Sequence, residues 1–227
     1  ARQADVLFPF GHGLSYTTFE LSHLRVSDEL FDDVDGLTVW VDVTNTGPVA
    51  GQEVVQVYVH DRAARLARPP KELKAFAKVA LAPGETQTVE LRLDARAFAY
   101  YDPAHAQWVR ETGDFDILVG RSAAEIVLSQ RVRMETTQEL PSLLHRMSTL
   151  QEWLEDPRGA EVVTPLLERL MSGAAADPDT ARAVTMNMIR MLGSLPLPMI
   201  LRFRGNALDV TPEEYVDGLV AQVRRAA

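Results

Sequence analysis

The sequence predicts a β-sandwich followed by a small all-α region. Up to residue 137, short runs of alternating apolar and polar side chains are separated by turn residues. From residue 138 the apolar side chains fall at helical spacing. Composition changes at the same place: of 16 Phe, Tyr and Trp, 13 precede residue 138, whereas six of the seven methionines lie at 147 or later. Aromatic and β-branched residues favour strands, while Leu, Met and Ala favour helices, so the break separates two structural classes.

The strands follow in order. Leu37, Val39, Val41 and Val43 alternate with Thr38, Trp40, Asp42 and Thr44, the period-two signature of a strand with one buried face. Asn45-Thr46-Gly47-Pro48 ends it with turn chemistry. Val55, Val57 and Val59 alternate with Gln56, Tyr58 and His60, which predicts that Trp40, Tyr58 and His60 point away from the core. Pro83-Gly84 marks a further turn before Val89, Leu91 and Leu93. Phe115, Ile117 and Val119 follow Gly113, and Ile126 to Val132 alternates again. Several short strands with turns between them make a sandwich.

The helices are read from spacing and caps. Leu143, Leu144, Met147, Leu150 and Leu154 predict a first helix. Val162, Val163, Leu166, Leu167, Leu170 and Met171 predict a second; because Pro is tolerated in a first turn, Pro165 places its regular start at Thr164. Asp177-Pro178 reads as a cap opening a third helix through Val184, Met188, Met191 and Leu192. A short helix is expected around Met199 to Phe203, and Thr211-Pro212-Glu213-Glu214 forms a capping box ahead of Val216, Leu219, Val220 and Val223.

Composition excludes several function classes. There is no cysteine, hence no disulfide, thiol chemistry or Cys-based zinc site. A net charge of −9 argues against a polyanionic partner such as nucleic acid. No apolar run approaches the ~18 residues that span a membrane. The first residues, Ala1-Arg2-Gln3-Ala4-Asp5, lack the charged-then-apolar order of a signal peptide, and with the absence of cysteine this leans toward the cytoplasm. The five histidines, at 12, 23, 60, 105 and 145, have no i, i+4 pair, so no metal or other cofactor is expected. The 32 acidic residues fall mostly on outward strand positions, in turns and near helix starts, where carboxylates are solvated. His12 and Ser15 lack the strand-turn-helix elbow of a nucleophile and read as a turn with a hydroxyl bonded to backbone.

Six segments, in order, carry a resemblance to a known family. Residues 7–19, Leu-Phe-Pro-Phe-Gly-His-Gly-Leu-Ser-Tyr-Thr-Thr-Phe, resemble the close of the second catalytic-region domain of glycoside hydrolase family 3. Val43-Thr44-Asn45-Thr46-Gly47 with Gly51-Gln52-Glu53-Val54-Val55-Gln56-Val57-Tyr58 resembles the strand-turn-strand of the fibronectin type III-like domain that follows it. Arg68-Pro69-Pro70-Lys71-Glu72-Leu73-Lys74-Ala75-Phe76, Leu81-Ala82-Pro83-Gly84-Glu85, Tyr101-Asp102 with Trp108, and Gly113-Asp114-Phe115-Asp116-Ile117-Leu118-Val119-Gly120 match as well. Ala75 stands where that family usually has Gly, and Ser122-Ala123-Ala124 replaces a common Ser-Ser.

The resemblance implies an immunoglobulin-like, fibronectin type III-like sandwich over 19–137, with residues 1–18 as the tail of the preceding domain and 138–227 as a helical C-terminal extension. It implies a retaining β-glycosidase, most often a β-glucosidase, whose nucleophilic Asp and acid/base Glu lie upstream of the segment matched by 7–19. On this reading the chain contains no catalytic residue. Its partners are the upstream catalytic domains of the same polypeptide and, through them, a β-glycoside; a homo-oligomer through the helices is a further expectation. Phe8, Phe10, His12 and Tyr16 are the candidate site residues, in a loop that shapes outer substrate subsites or contacts a neighbouring domain. The basic stretch Arg62, Arg65, Arg68, Lys71, Lys74 and Lys78 reads either as a solvated loop and edge strand or as a surface docked on an acidic neighbour. The competing reading is a free-standing carbohydrate-binding, adhesion or oligomerisation module.

Overall fold

The computed structural model describes residues 6–171, 191–202 and 210–225. The chain divides into two compact units, Ala1–Glu139 and Leu140–Ala227. Among the described residues the first holds ten strands: β1 (Phe19–Val26), β2 (Leu30–Asp32), β3 (Leu37–Asn45), β4 (Gly51–Asp61), β5 (Glu72–Leu81), β6 (Thr86–Leu93), β7 (Tyr100–Asp102), β8 (Gln107–Val109), β9 (Gly113–Gly120) and β10 (Ile126–Glu135), with a one-turn helix α1 (Ala95–Phe98) before β7. One sheet has the order β1-β3-β6 and the other β2-β10-β9-β4-β5; β7 and β8 form a separate hairpin. All pairings are antiparallel except that of β2 with β10.

The alternating residues build the core between the sheets. Leu37, Val39, Val41 and Val43 of β3 face Val55, Val57 and Val59 of β4, with Phe115, Ile117 and Val119 of β9 and Phe98 of α1 in the same buried cluster. Period two puts every second side chain on one face, so strands of this sequence can bury a full apolar set only as a sandwich. Tyr58 stands outside the core cluster that takes Val57 and Val59, yet it is covered. Gln56 and Tyr58 are buried beside Val55, Val57 and Val59, and Tyr58 is 3% exposed. Strand β4 lies inside its sheet, between β9 and β5, and the backbone of Gly11 is pressed onto Gln56 on the face away from the core. Trp40 stays half-buried, its indole N–H donating to Glu90 Oε2 on the neighbouring strand at 2.9 Å. Strand β5 is the sheet edge, and its lysines keep that edge from pairing with another chain.

Two buried polar side chains of this unit, Asn45 and Asp33, are richly partnered. Asn45 accepts from Thr17 Oγ1 (2.7 Å) and Gly47 N (3.1 Å) and donates to the carbonyls of Val49 (2.8 Å) and Leu81 (3.0 Å). The Asn-Thr-Gly turn is therefore also an anchor for the chain that enters β1. Asp33, with no side-chain exposure, accepts from the Thr136 hydroxyl (2.8 Å), the Thr137 amide and hydroxyl (both 2.9 Å) and Arg110 Nε (3.0 Å). That ties the end of β10 to the start of the sandwich.

The second unit contains α2 (Leu150–Glu155), α3 (Pro157–Met171), α4 (Leu197–Arg202) and α5 (Pro212–Arg225) around Leu150, Trp153, Val163, Leu166, Leu201 and Val216. Two expected starts are corrected. The first helix begins at Leu150 and not at Leu143, because Thr149 and Glu152 form a capping box and His145–Ser148 closes a turn before it. The second begins at Pro157, seven residues ahead of Thr164: Asp156 Oδ1 accepts the Gly159 amide at 2.8 Å, so Pro157 takes the first helical position. Pro165 sits inside that helix on its exposed face, where the backbone groups it leaves unbonded meet water. The capping box at Thr211 is formed as read, with the Glu214 amide donating to Thr211 Oγ1 at 3.3 Å and the Thr211 amide to Glu214 Oε2 at 3.1 Å. The helix expected from Asp177 and the position of Phe203 lie outside the described residues.

Candidate functional site

The candidate residues Phe8, Phe10, His12 and Tyr16 lie on an arm that precedes β1. Its course is set by short polar ties. The His12 amide donates to Pro9 O (2.9 Å), closing a turn, and the Ala123 amide donates to Phe10 O (2.8 Å). The Thr17 amide donates to Ser15 Oγ (3.3 Å), the role expected of that serine. Gly11 has a positive φ of 81°, and a Cβ there would fall 2.1 Å from Gln56 Nε2. Only glycine allows both the turn and this approach. Gln56 is itself held by donating to Arg121 O (2.8 Å) and accepting from the Tyr58 hydroxyl (2.5 Å).

The arm brings some candidates together and separates others. Phe8 and His12 pack ring to ring at 5.2 Å. Phe10 joins Gly11, Val54, Gln56, Leu73 and Phe76 around an apolar cavity of about 260 Å³. Tyr16 touches neither group through its ring and stands fully exposed. Val6, Leu7, Phe8, Phe10, Leu14 and Tyr16 are all exposed, Leu14 at 95%. Such a run of uncovered apolar side chains marks a contact surface.

The basic stretch spends its arginines within the unit. Arg68 is 6% exposed; it pairs with Asp61 (3.0 Å) and Glu72 (2.8 Å), donates to the carbonyls of Phe98 and Ala99, and lies 5.6 Å from the centre of the Tyr100 ring. Arg65 pairs with Asp102 (2.5 Å) and Glu111 (3.4 Å), and Arg62 with Asp116 (2.8 Å). These arginines lock the β4–β5 connection onto the sandwich.

The resolved carboxyl shifts all run in one direction. A general acid at neutral pH needs its pKa pushed up. Among the described residues every carboxyl with a resolved shift is held down. Burial pushes Asp33 up, but the hydrogen bonds from Thr137 and Thr136 and the Arg110 charge outweigh it. The Thr88 hydroxyl holds Asp42 low, and the bond to His105 holds Asp102 low. Burial raises Glu72 less than Arg68 and Lys74 lower it. Tyr100 moves the other way, to about 12, through burial and the Glu111 carboxylate that accepts its hydroxyl proton at 2.6 Å. Among the described residues no cluster of three His, Asp or Glu is able to hold a metal ion, and no helix is long and apolar enough to cross a membrane.

Spacing did not anticipate the β7–β8 hairpin. Tyr101 and Trp108 face each other across it, both about half exposed, with ring centres 5.8 Å apart. Both belong to segments that resemble the family motif, but nothing in their spacing signals that the pair is uncovered.

Known proteins resemble this chain over most of its length. Residues 53–123 match the model of the fibronectin type III-like domain. The thermostable β-glucosidase B of Acetivibrio thermocellus is 40% identical over 214 residues, which is 94% of this chain and 28% of that protein. The exo-α-(1→6)-L-arabinopyranosidase of Bifidobacterium breve is 40% identical over 83% of this chain and 24% of its own length. Among solved structures, the family 3 β-glucosidase of Bifidobacterium adolescentis superposes with a TM-score of 0.59 at 39% identity, over 68% of this chain and 22% of that one. The β-glucosidase of Listeria innocua in complex with glucose superposes with a TM-score of 0.52 at 39% identity, over 56% and 17%. The chain thus spans little more than a quarter, at most, of the curated relatives it matches.

Proposed function

We propose, for a chain that corresponds to the C-terminal part of a glycoside hydrolase family 3, β-glucosidase-like enzyme, that it is a scaffold for the catalytic domains of that enzyme, which hydrolyses a β-glycoside. The observation that carries this is the extent of the match: 94% of the chain aligns with 28% of a β-glucosidase. The arm supports the same reading. Six uncovered apolar side chains between Val6 and Tyr16 favour a covering protein surface, at about 25 cal/mol per Å² buried. The occupant is the catalytic part of the same polypeptide, and Phe8, Phe10 and Tyr16 act there as domain contacts, with His12 stacked on Phe8.

The test has two arms. The 227-residue chain alone is offered an aryl β-glucoside; the scaffold reading expects no turnover, and measurable hydrolysis overturns it. The chain is also exchanged for the matching segment of the Acetivibrio thermocellus β-glucosidase B. An active, soluble chimera is expected, with Tyr16→Ala and Phe10→Ala lowering its melting temperature and leaving KM for the aryl glucoside unchanged. A changed KM with unaltered melting would assign the arm to a substrate subsite instead.

A further inference from the structure

The β7–β8 hairpin presents an aromatic corner that the scaffold role does not use. Tyr101 and Trp108 are cross-strand partners. Their rings meet at 72° with centres 5.8 Å apart, and they remain 49% and 45% exposed. The Arg96 guanidinium lies 4.0 Å from the centre of the Trp108 ring. Among the described residues no carboxylate pairs with Arg96, whereas Arg62, Arg65 and Arg68 are all spent on ion pairs. Its N–H donors are therefore available beside two half-exposed rings, with the guanidinium over one face of Trp108.

The corner is rigid for reasons that have nothing to do with the rings. Asp102, between Tyr101 and the turn, is buried; its carboxylate takes Arg65 Nη2 at 2.5 Å, His105 Nδ1 at 2.8 Å and the Ala104 amide at 2.8 Å. Gln138 donates to Trp108 O at 2.9 Å while accepting the Arg110 amide at 2.8 Å. Backbone held from both sides fixes where the rings stand, so a ligand meets a preorganised surface and loses less freedom on binding.

We propose that Tyr101, Trp108 and Arg96 form a carbohydrate-contact site for β-linked glucose oligomers. A pyranose has an apolar C–H face and a rim of hydroxyl oxygens. Its face fits one ring of the corner, its edge meets the other, and the rim oxygens accept from Arg96, which has donors only. The size of the corner suits a small ligand. Two half-exposed aromatic rings offer roughly 200 Å², well short of the ~800 Å² each partner buries in a stable protein interface. The choice of β-linked glucose rests on the reading of the chain as part of a β-glucosidase-like enzyme.

The test is affinity electrophoresis of the 227-residue chain in gels containing laminarin, soluble cellulose derivative or xylan, with iodide quenching of tryptophan fluorescence alongside. Trp153 is fully buried and Trp40 half-buried, so quenching reads Trp108 first. Retardation by a β-glucan is expected, with protection of Trp108 from iodide and little dependence on salt. Trp108→Ala and Tyr101→Ala are each expected to weaken it by about tenfold, the loss typical of a hot-spot truncation. Arg96→Gln keeps the rings and removes the cation, and weakens it less. Tyr101→Phe keeps the ring and controls for folding, with near-wild-type retardation expected. No retardation in any gel, retention on xylan alone, or equal retardation of Trp108→Ala would overturn the site. The scaffold reading is judged separately: Trp108→Ala in the chimera leaves aryl-glucoside turnover intact, so either proposal can fail without the other.

Discussion

The sandwich and the helical unit solve the same problem, the burial of an apolar core, with different amounts of polar help. In the first unit Thr17, Asp33, Asn45, Gln56, Asp102 and Ser122 are buried; in the second, among the described residues, Ser148 is the buried polar side chain. The sandwich joins strands far apart in sequence, and buried groups such as Asp33 and Asn45 specify which segments meet. The helical unit starts its helices locally, through the capping boxes at Thr149 and Thr211 and the cap at Asp156. The sandwich thus buries its long-range polar ties, whereas the helical unit adds exposed ones, such as Arg146 with Asp217, to its local caps.

The largest effects test the cores themselves. Phe115 is 1% exposed and meets Phe98 edge-on at 5.3 Å. Phe115→Ala is expected to cost about 3–5 kcal/mol in urea unfolding followed by circular dichroism. Next comes the tie that has no counterpart among the helices. Asp33→Ala leaves Arg110 and two threonines without their acceptor and is expected to cost about 3 kcal/mol, as when one partner of a buried pair is removed. A cost below about 1 kcal/mol, within the range of an ordinary surface pair, would break the contrast.

Acid should act on the sandwich through buried carboxylates, whereas Glu214 and Asp217, the lowered carboxyls of the helical unit among the described residues, are not buried. Asp33, Asp42 and Asp102 are all held below their ordinary values in the sandwich. A carboxyl lowered by folding adds stability that is complete above its unfolded pKa of about 4. That stability is lost as pH falls through the lower folded value. The urea midpoint of the sandwich should therefore drop steeply below about pH 4. Asp102→Asn, measured against pH, should flatten that fall; an unchanged slope would remove Asp102 from the account.

These differences explain what could be read in advance. The valines of β3 and β4 announce their strands because period two belongs to the backbone, and the burial of Val39, Val41, Val43, Val55, Val57 and Val59 follows it. That rule puts Tyr58 on the opposite face but does not report its burial there, because the arm pressed onto neighbouring Gln56 lies more than forty residues earlier. Asp33 looked like any turn carboxylate, since its partners Thr136 and Thr137 lie at separations of 103 and 104 residues. Thr149 did carry a local signal, with Glu152 three residues on. The apolar run Leu143, Leu144, Met147, read by itself, places the expected start two turns too early. Of the candidate site, the arm was legible through its family motif, and the exposed corner of Tyr101 and Trp108 was not.

Smaller effects probe the local logic of the helices. Pro165 lies inside α3 on the solvent face, where its ring crowds the preceding turn and its nitrogen offers no donor to Glu161 O. Pro165→Ala is expected to stabilise the helical unit by about 1–3 kcal/mol in thermal or urea unfolding. Destabilisation would mean that the proline shapes the helix in a way its neighbours need.

The smallest effect is the most diagnostic of how α2 begins. Thr149 Oγ1 accepts the Glu152 amide at 3.2 Å, and Glu152 Oε2 accepts the Thr149 amide at 2.7 Å. Both groups are exposed, so water competes, and the loss on Thr149→Ala is expected to be about 1 kcal/mol. Thr149→Ser keeps the oxygen and should recover most of it. If the helix starts where the cap places it, amide exchange in Thr149→Ala speeds up at Gln151 and Glu152 and leaves Leu144 unchanged. If the apolar spacing from Leu143 governs instead, the substitution falls in mid-helix, alanine is the better helix former there, and stability rises. The sign of one change of about 1 kcal/mol therefore decides between cap and periodicity as the origin of this helix.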